Sequence, residues 1–332
     1  MRPFSYARPS DTEEAVLELA RPDSRFIAGG TNLIDLMKED VERPSRLVDI
    51  NRLPLNTIEE LPEGGLRLGA LATNADTAYH PLVTERYPLL SKTILAGASA
   101  QLRNMATNGG NLFQRTRCYY FYDAATPCNK RQCTANGAAG CGAIGGYNRI
   151  HAILGESQHC IATHPSDMCV ALAALEAVIQ ISGPSGDRSI PIADLHRLPG
   201  DEPWRDHTLE RGELVTAIDL PPNGFAGHHK YLKVRDRASY AFALVSVAVG
   251  LELDGDIVRH ARLAMGGVAH KPWRKTEAED LLIGKSAVRE NFVPVADALL
   301  EGAVGHGSNT FKIELAHRAI VRALEDAVLM ND

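Results

Sequence analysis

The spacing of apolar and polar residues predicts alternating helices and strands in the first quarter of the chain. Runs typical of strands occur at 26–28, 46–50 and 66–68. Ser10 and Glu13 match a capping box, which predicts a helix directly after it. Further helical stretches are predicted from 32 to 38 and from Thr73 onward. This alternation indicates helices that pack on the faces of a sheet.

The periodicity disappears between Asn111 and Gln158, in a segment with glycines, aromatic residues and most of the cysteines. A long segment without regular patterning inside a compact domain predicts an ordered loop, held by something other than a hydrophobic core. Regular patterning returns with a predicted helix at 166–177 and a predicted strand at 178–181. Prolines and glycines then punctuate the chain up to Asn223, where we place a domain boundary.

The remainder of the chain predicts a second domain of strands and helices. Predicted strands lie at 242–253 and 257–263, and predicted helices at 275–282 and 311–329. Asp254-Gly255 fits a two-residue hairpin turn between the two strands. We therefore divide the chain into a first domain of residues 1–222, with an insertion at about 113–160, and a second domain of residues 223–332.

Charge and hydropathy argue against two classes of protein. The net charge is −6, from 35 basic and 41 acidic residues, and no long basic run is present, so a nucleic-acid-binding surface is not expected. No apolar stretch approaches the roughly 18 residues that a membrane-spanning helix needs. The first residues contain no hydrophobic signal core, and we expect the chain to carry no export signal of its own.

Two glycine pairs stand among small polar residues and predict a phosphate-binding surface. The first lies in Ala28-Gly29-Gly30-Thr31-Asn32, and the second in Thr107-Asn108-Gly109-Gly110-Asn111. Glycine allows a ligand to approach the backbone closely, and free N–H groups at a helix start favour a phosphate. Each segment alone is more often a tight turn, but two such segments along one chain favour a common ligand.

Two further matches to nucleotide-binding motifs fail on their context. Residues 140–145 fit the letters of G-x-G-x-x-G, but they neither follow a predicted strand nor open a predicted helix. Residues 284–286 resemble the end of a P-loop, but Glu279 stands where its leading glycine belongs. We also find no Ser-His-Asp or paired-carboxylate spacing that indicates catalysis by side chains, which is typical of a protein whose cofactors carry the chemistry.

The six cysteines predict a metal centre in the irregular segment. They are Cys118, Cys128, Cys133, Cys141, Cys160 and, just beyond, Cys169. Without a signal peptide, such a group more often binds metal than forms disulfides. Neighbouring basic residues would offset the charge of bound thiolates; these are Arg115, Arg117, Lys130 and Arg131. Zinc sites usually bring C-x-x-C pairs, which this chain lacks, but spacing alone leaves an iron–sulfur cluster and a structural zinc both open.

Several segments, in a fixed order along the chain, carry the motifs of one protein family. They are Ala28 to Leu33, Gly69 to Thr73, Arg103 to Leu112, Pro165 to Asp167, Lys233 to Arg237, and Gly266 to Ala269 before Arg274. Over nearly its whole length the chain resembles the FAD-binding subunits of the xanthine dehydrogenase family of molybdenum hydroxylases. The resemblance implies an α+β fold: a two-lobed FAD-binding domain of the PCMH type, then a smaller α/β C-terminal domain of the CO dehydrogenase flavoprotein type.

The resemblance also implies which residues contact FAD. The pyrophosphate would be held by two segments: Ile27, Ala28, Gly29, Gly30, Thr31, Asn32 and Leu33, and Ala106, Thr107, Gly109, Gly110 and Asn111. Asp167 matches the family's aspartate near the ribityl chain, and Lys233 matches its lysine near the ring system. A flavin contact after the linker falls at Leu214 or Val215.

The insertion at 113–160 departs from most members of the family. It is similar to that of a bacterial aldehyde oxidoreductase FAD subunit, whose loop ligates a [4Fe–4S] cluster, and the beta subunit of 4-hydroxybenzoyl-CoA reductase has a comparable loop. The similarity assigns the ligands to Cys118, Cys128, Cys141 and Cys160. Cys133 is the replacement if Cys141 is not a ligand. Cys169 lies in an apolar helical segment, where a cysteine normally behaves as a small hydrophobe.

The function implied by the resemblance is electron transfer inside a complex. A molybdenum cofactor on a large subunit would oxidise an aldehyde or a heteroaromatic compound, and [2Fe–2S] centres on a small subunit would pass electrons to FAD and on to an external acceptor. The alternatives are a reductase that runs in the opposite direction, a self-sufficient flavin oxidase, and a zinc-stabilised binding protein without redox function. The complex would be cytoplasmic, or periplasmic by co-export with a signal-bearing partner.

Overall fold

The computed structural model describes residues 1–131 and 140–330 of the 332-residue chain. Its strands are β1 (Ser5–Ala7), β2 (Ser24–Ile27), β3 (Arg46–Asp49), β4 (Ile58–Glu60), β5 (Leu66–Gly69), β6 (Val178–Gly183), β7 (Gly186–Pro191), β8 (Leu214–Leu220), β9 (His228–Val234), β10 (Val245–Asp254) and β11 (Ile257–Gly266). Its helices are α1 (Thr12–Leu19), α2 (Leu33–Lys38), α3 (Asn74–Tyr79), α4 (Pro81–Arg86), α5 (Pro88–Ala96), α6 (Ala100–Arg103), α7 (Asn108–Leu112), α8 (Tyr119–Tyr122), α9 (Asp167–Ala174), α10 (Ile192–Leu195), α11 (Thr276–Asp280), α12 (Arg289–Leu300) and α13 (Phe311–Val328).

The first lobe is a small parallel sheet in the order β1-β3-β2. Ala15 and Val16 of α1 are buried against Val48 of β3, as the apolar face predicted for this helix requires. The predicted capping box is wrong by one residue. Asp11 caps the helix by accepting a 2.8 Å hydrogen bond from the amide of Glu14, because a carboxylate is an effective acceptor for a free N–H group of the first turn.

The second lobe is a five-stranded sheet in the order β4-β5-β8-β6-β7, joined by antiparallel pairs. Helices α3, α5 and α9 pack near it, and their apolar residues form one large core with the sheet. Cys169 of α9 is fully buried in that core, as expected of a small hydrophobe. Strand β8 is the central strand, because it pairs with both β5 and β6. Its first residue, Leu214, is therefore held in the centre of the sheet.

The C-terminal part folds around the antiparallel sheet β9-β10-β11, against which α11, α12 and α13 bury their apolar faces. The predicted hairpin is present, but its two-residue turn is at 255–256 rather than 254–255, because Asp254 still pairs with Ile257. Gly255 in this turn has a φ of 62°, which is readily accessible to glycine. The sequence did not predict α12, because Pro294 lies inside this helix and proline is disfavoured in a helix interior. Within residues 1–131 and 140–330, no helix has the length and apolar character to cross a bilayer.

The insertion has little regular structure of its own. Between α7 and α9 the described residues form α8, a single 3-10 turn at Asn129–Arg131 and isolated bridges such as Cys128 with Cys141. Residues 140–145 form turns rather than a strand-to-helix junction, in agreement with the rejection of a dinucleotide-binding motif there.

A buried ion pair ties the C-terminal sheet to α9. Glu279 accepts hydrogen bonds from the amide of Leu263 at 2.8 Å and from Arg274 at 2.7 and 2.8 Å. Arg274 also donates to the carbonyl oxygen of Ala173 in α9, at 3.2 Å. The Glu279 side chain is 3% exposed, so its charge depends on this arginine for compensation.

Replacing Glu279 should therefore destabilise the chain more than replacing an exposed acidic residue. We expect Glu279→Ala to cost about 3 kcal/mol, because it leaves a mostly buried guanidinium without its main partner. Glu314→Ala removes the exposed partner of Arg318 and should cost less than about 0.5 kcal/mol. Urea unfolding followed by circular dichroism at equal flavin content measures both; equal shifts of the midpoint would refute the role given to Glu279.

Candidate functional site

A cleft of about 620 Å³ lies where β2, α7 and the start of β8 meet. Its walls include the whole first glycine segment, residues 27–33. The second segment contributes Thr107, Gly109 and Gly110, and the linker contributes Leu214 together with Val215. The structure thus brings together around one space residues that are far apart in the sequence.

Close backbone packing explains the first glycine pair. A Cβ atom on Gly29 would lie 1.8 Å from the carbonyl oxygen of Met105, so the two loops can meet only if residue 29 has no side chain. Gly30 has a φ of 72°, which side chains other than glycine rarely adopt. These two constraints hold the first segment against the second along one edge of the cleft.

The second segment leaves open space at one glycine. Thr107 caps α7 by accepting a 3.2 Å hydrogen bond from the amide of Gly110. A Cβ atom on Gly109 would meet Ala70 at 3.2 Å, whereas one on Gly110 would meet only the Thr107 hydroxyl at 3.0 Å. Gly110 lines the cleft, so a side chain at this residue would begin to fill the cleft.

Asn32 supplies an unused donor at the same place. Its Oδ1 accepts a 2.9 Å hydrogen bond from the amide of Arg115, which fixes the orientation of the carboxamide. Its buried Nδ2 has no partner among the described residues, although Asn32 lines the cleft. A buried donor without a partner costs free energy, so its position fits a cleft that accepts a polar ligand such as a diphosphate.

Four of the predicted cofactor residues lie outside the walls of the cleft. The carbonyl oxygen of Ala106 accepts a 2.8 Å hydrogen bond from the amide of Asn74. Asn111 accepts a 2.6 Å hydrogen bond from the hydroxyl of Ser166, the residue next to Asp167. Asp167 and Lys233 form a buried ion pair of 2.7 Å, so the structure pairs them with each other and connects them to the second glycine segment through Ser166.

Four of the predicted metal ligands line a second, smaller cavity beside the cleft. They are Cys118, Cys128, Cys141 and Cys160, all with free thiols. Cys118, Cys128 and Cys160 are buried, together with Phe121 and Ile161, in a local apolar cluster against which Cys141 packs. Cys133 lies outside the described residues.

Several groups around this cavity direct hydrogen-bond donors at sulfur. The amide of Ala162 donates to the Sγ of Cys160 at 3.4 Å. Burial raises the pKa of the Cys128 thiol, and the backbone amides of Lys130 and Arg131 oppose part of this rise. Burial nevertheless dominates: it raises the pKa of the Cys118 thiol to about 12 and that of the Cys160 thiol to about 11. Buried thiols of this kind ionise when a metal binds them, so the donor set fits a group held by four cysteines.

The C-terminal domain contacts the insertion at His151, which lines this cavity. The Nε2 of His151 lies 3.0 Å from the Sγ of Cys118, and burial lowers the pKa of this histidine to about 4, so the imidazole is neutral. Lys312 of α13 donates a 2.7 Å hydrogen bond to the carbonyl oxygen of His151. Burial lowers the pKa of Lys312 to about 7. The insertion is therefore held from both domains.

The sequence did not single out Asp206, which joins the two cavities. Its carboxylate lies 2.5 Å from the Nζ of Lys130 and 2.8 Å from the Nε of Arg115. Burial alone would raise the pKa of Asp206, but the charges of Lys130 and Arg115 hold it well below its usual range. An isolated aspartate in the proline-punctuated linker gives no pattern that distinguishes it from a surface residue.

A histidine pair beside the cleft holds the end of α7. The Nε2 atoms of His164 and His196 both donate to the carbonyl oxygen of Leu112, at 3.3 and 2.8 Å. Cys169 lies near enough that the three residues could share a metal ion. Because the Nε2 atoms are already committed to Leu112, we assign the pair to positioning the segment that follows the second glycine pair.

A two-lobed flavoprotein is the class that this fold and cleft define, and comparison with known proteins agrees. Residues 2–223 match the FAD binding domain in molybdopterin dehydrogenase, and residues 230–327 match the CO dehydrogenase flavoprotein C-terminal domain. These matches confirm the fold that the resemblance implied, and they confirm FAD as a cofactor of the family. The chain belongs to the family of FAD-binding subunits of molybdopterin dehydrogenases.

Full-length relatives support this assignment. The chain is 50% identical over 329 residues to the aldehyde oxidoreductase FAD-binding subunit PaoB of Escherichia coli (strain K12), covering 98% of this chain and 99% of that protein. It is 28% identical to the glyceraldehyde dehydrogenase medium chain of Sulfolobus acidocaldarius, covering 97% of this chain and 98% of that protein.

Two solved structures share the fold over almost all of the chain. Carbon monoxide dehydrogenase from Hydrogenophaga pseudoflava gives a TM-score of 0.76 at 26% identity, covering 100% of this chain and 99% of that chain. Quinoline 2-oxidoreductase from Pseudomonas putida 86 gives a TM-score of 0.73 at 26% identity, covering 98% of this chain and 97% of that chain.

The open face of Gly110 leads to a test of the cleft. A valine side chain there would enter the space left for a ligand, so Gly110→Val should weaken FAD binding by at least about tenfold, or roughly 1.4 kcal/mol. Gly227→Val is the matched control, because a Cβ atom at residue 227 meets nothing within 4 Å and residue 227 does not line the cleft. FAD released on denaturation, measured per chain, gives the result; full flavin content in Gly110→Val would show that the diphosphate lies elsewhere.

Proposed function

We propose that this chain is the FAD subunit of a molybdenum-containing aldehyde oxidoreductase, with an additional [4Fe–4S] cluster in its insertion. The observation that carries the aldehyde assignment is the 50% identity, from end to end, with a subunit named for that activity. Among the relatives at 28% identity or below, one is also named for an aldehyde, glyceraldehyde, whereas others are named for carbon monoxide and nicotine.

When bound, FAD accepts electrons in pairs and releases them singly, and an iron–sulfur cluster exchanges them one at a time. The chain's own task is to hold these groups. We assign the diphosphate to residues 27–33 and to Thr107, Gly109 and Gly110, with Ala106 and Asn111 behind the second segment. Asp167 and Lys233 would contact the ribityl chain and the ring system, and Leu214 the flavin from the linker. The short backbone approach at Gly29 and the unused donor of Asn32 support this placement.

The cysteine cavity is the second part of the proposal. Four cysteines from separate parts of the insertion line one small cavity, and the amide of Ala162 donates to the sulfur of Cys160. Hydrogen bonds to sulfur and burial are two features that set the reduction potential of an iron–sulfur cluster. Lys130, which is buried in the wall of this cavity, would offset part of the negative charge of the four thiolates.

The function requires partner chains. Among the described residues we find no arrangement that would oxidise an aldehyde, and full-length relatives are medium chains or FAD-binding subunits of multi-subunit enzymes. We therefore propose a large subunit with the molybdenum cofactor, a small subunit with [2Fe–2S] centres, and an external acceptor. The second candidate is the FAD subunit of a 4-hydroxybenzoyl-CoA-reductase-like enzyme, which has a comparable insertion, or of another molybdenum hydroxylase, which would share the two matched domains.

Serine variants test the cluster and its ligands. Replacing any one of Cys118, Cys128, Cys141 or Cys160 by serine should lower bound iron and acid-labile sulfide by at least about half, because a hard hydroxyl is a poor substitute for a soft thiolate. Cys169→Ser is the matched control and should change neither, since this buried thiol lines a different part of the core. One zinc ion per chain and no sulfide would show that the site holds a structural zinc instead of the cluster.

One further variant decides between two ligand sets. If Cys141 is a ligand, Cys133→Ser should keep its iron and sulfide while Cys141→Ser loses them. The reverse result would assign the fourth ligand position to Cys133.

The dependence on partners can be measured directly. In the assembled complex, rapid mixing with an aldehyde should reduce the flavin, seen as loss of its absorbance near its visible maximum. In the isolated chain the same aldehyde should leave the flavin oxidised. Reduction in the isolated chain would contradict the proposed division of labour and favour a self-sufficient oxidase.

A further inference from the structure

A single buried ion pair spans the wall between the two cavities. Lys130 lines the cysteine cavity and does not line the cleft, whereas Asp206 lines the cleft and does not line the cysteine cavity. The Nζ of Lys130 lies 2.5 Å from the Oδ1 of Asp206, and the lysine side chain is 1% exposed. Thr116 lines both cavities, so the wall at that point is one residue thick.

The partners of Asp206 extend from this pair to the cleft. Arg115 donates to the Oδ2 of Asp206 at 2.8 Å and also pairs with Glu42. His270 Nε2 lies 3.4 Å from the Oδ1. Arg115, Asp206 and His270 all line the cleft, so a change at Lys130 alters the charge balance among groups that face any ligand there.

We propose that Lys130 and Asp206 couple the two sites, so that a group bound by the four cysteines increases the affinity of the cleft for FAD. The inference rests on the proposed function in one respect: it takes the cysteine cavity as a binding site. It does not require that the occupant be [4Fe–4S], because any cation held by thiolates acts on the same residues.

The direction of the coupling follows from the turn that carries Lys130. Lys130 lies two residues after Cys128, and the amide of Arg131 donates a 3.2 Å hydrogen bond to the carbonyl oxygen of Cys128, so a group that holds the Cys128 sulfur also holds this turn. A filled cavity therefore stabilises the 3-10 turn Asn129–Arg131 and fixes Lys130 against Asp206 and the carbonyl oxygen of Pro203, 2.7 Å away. With Asp206 held by Lys130, Arg115 is less fully neutralised and can face an anionic ligand in the cleft.

Burial makes this coupling larger than that of a surface pair. Removing one partner of a buried pair leaves an uncompensated charge, which proteins tolerate poorly. Coupling between two sites is also reciprocal: FAD must increase the affinity of the cysteine site by the same factor that the occupant increases the affinity for FAD.

The experiment is a binding cycle on the full chain. FAD is removed, and its dissociation constant is measured by quenching of flavin fluorescence in protein whose cysteine site is filled and in protein depleted by oxidant and chelator. Iron, sulfide and zinc analyses identify the occupant of each preparation. The filled wild-type chain should bind FAD at least about fivefold more tightly than the depleted chain, the lower end of typical coupling between sites.

Lys130→Met should weaken FAD binding in the filled chain by at least about fivefold and remove the difference between filled and depleted protein. Lys230→Met is the matched control, because Lys230 forms a 2.9 Å ion pair with Asp326 away from both cavities, and it should leave the cycle unchanged. Asp206→Asn is the second variant if Lys130→Met does not fold, and it should remove the coupling in the same way.

The outcomes separate this inference from the proposed cluster. A zinc-filled site that increases FAD affinity refutes the cluster and supports the coupling, and an iron–sulfur site without any effect on FAD affinity does the reverse. If the purified chain holds neither group, zinc is added to the reduced protein to fill the cysteine site, and a wild-type chain whose FAD affinity does not change on filling would overturn the inference.

Discussion

The burial of a carboxylate between two basic side chains is the constraint on which both cavities depend. Asp206 keeps its charge in the interior because Lys130 and Arg115 approach it from opposite sides, one from the cysteine cavity and one from the cleft. Removing any one of the three would leave a buried charge without compensation, at a cost of several kcal/mol. The described part of the long insertion has little secondary structure, so this network and the apolar cluster around Phe121 and the buried cysteines supply much of its order.

The two lobes meet where side chains are absent. Gly29 contacts the backbone of Met105, and Gly110 leaves its Cα face bare, so a ligand in the cleft would meet backbone amides, the Thr107 hydroxyl and the Asn32 carboxamide. Such a surface suits a diphosphate, whose oxygens accept hydrogen bonds but need room to approach the chain. The proposed diphosphate site would thus be formed by loop packing rather than by a dinucleotide-binding helix.

Short local patterns in the sequence predicted several features of the structure, whereas ion pairs between residues far apart in the chain were not predicted. The glycine pairs, the helix α13 and the hairpin at Gly255 were predicted because each depends on a short, periodic or conformationally restricted pattern. The role of Asp206 was not predicted, because its partners are 76 and 91 residues away along the chain and no local pattern distinguishes it. Helix α12 was not predicted because it contains Pro294. The packing of the apolar face of α12 outweighs the local preference against proline in a helix.

The central claim is that one chain holds FAD in the cleft and a cluster in the adjacent cavity. Anomalous diffraction from crystals of the complex, recorded on both sides of the iron absorption edge, tests it most directly. The account predicts a compact iron peak bonded to the Sγ atoms of Cys118, Cys128, Cys141 and Cys160, with flavin density beside residues 27–33. A zinc peak, a disulfide among these cysteines, or flavin density outside the cleft would contradict it.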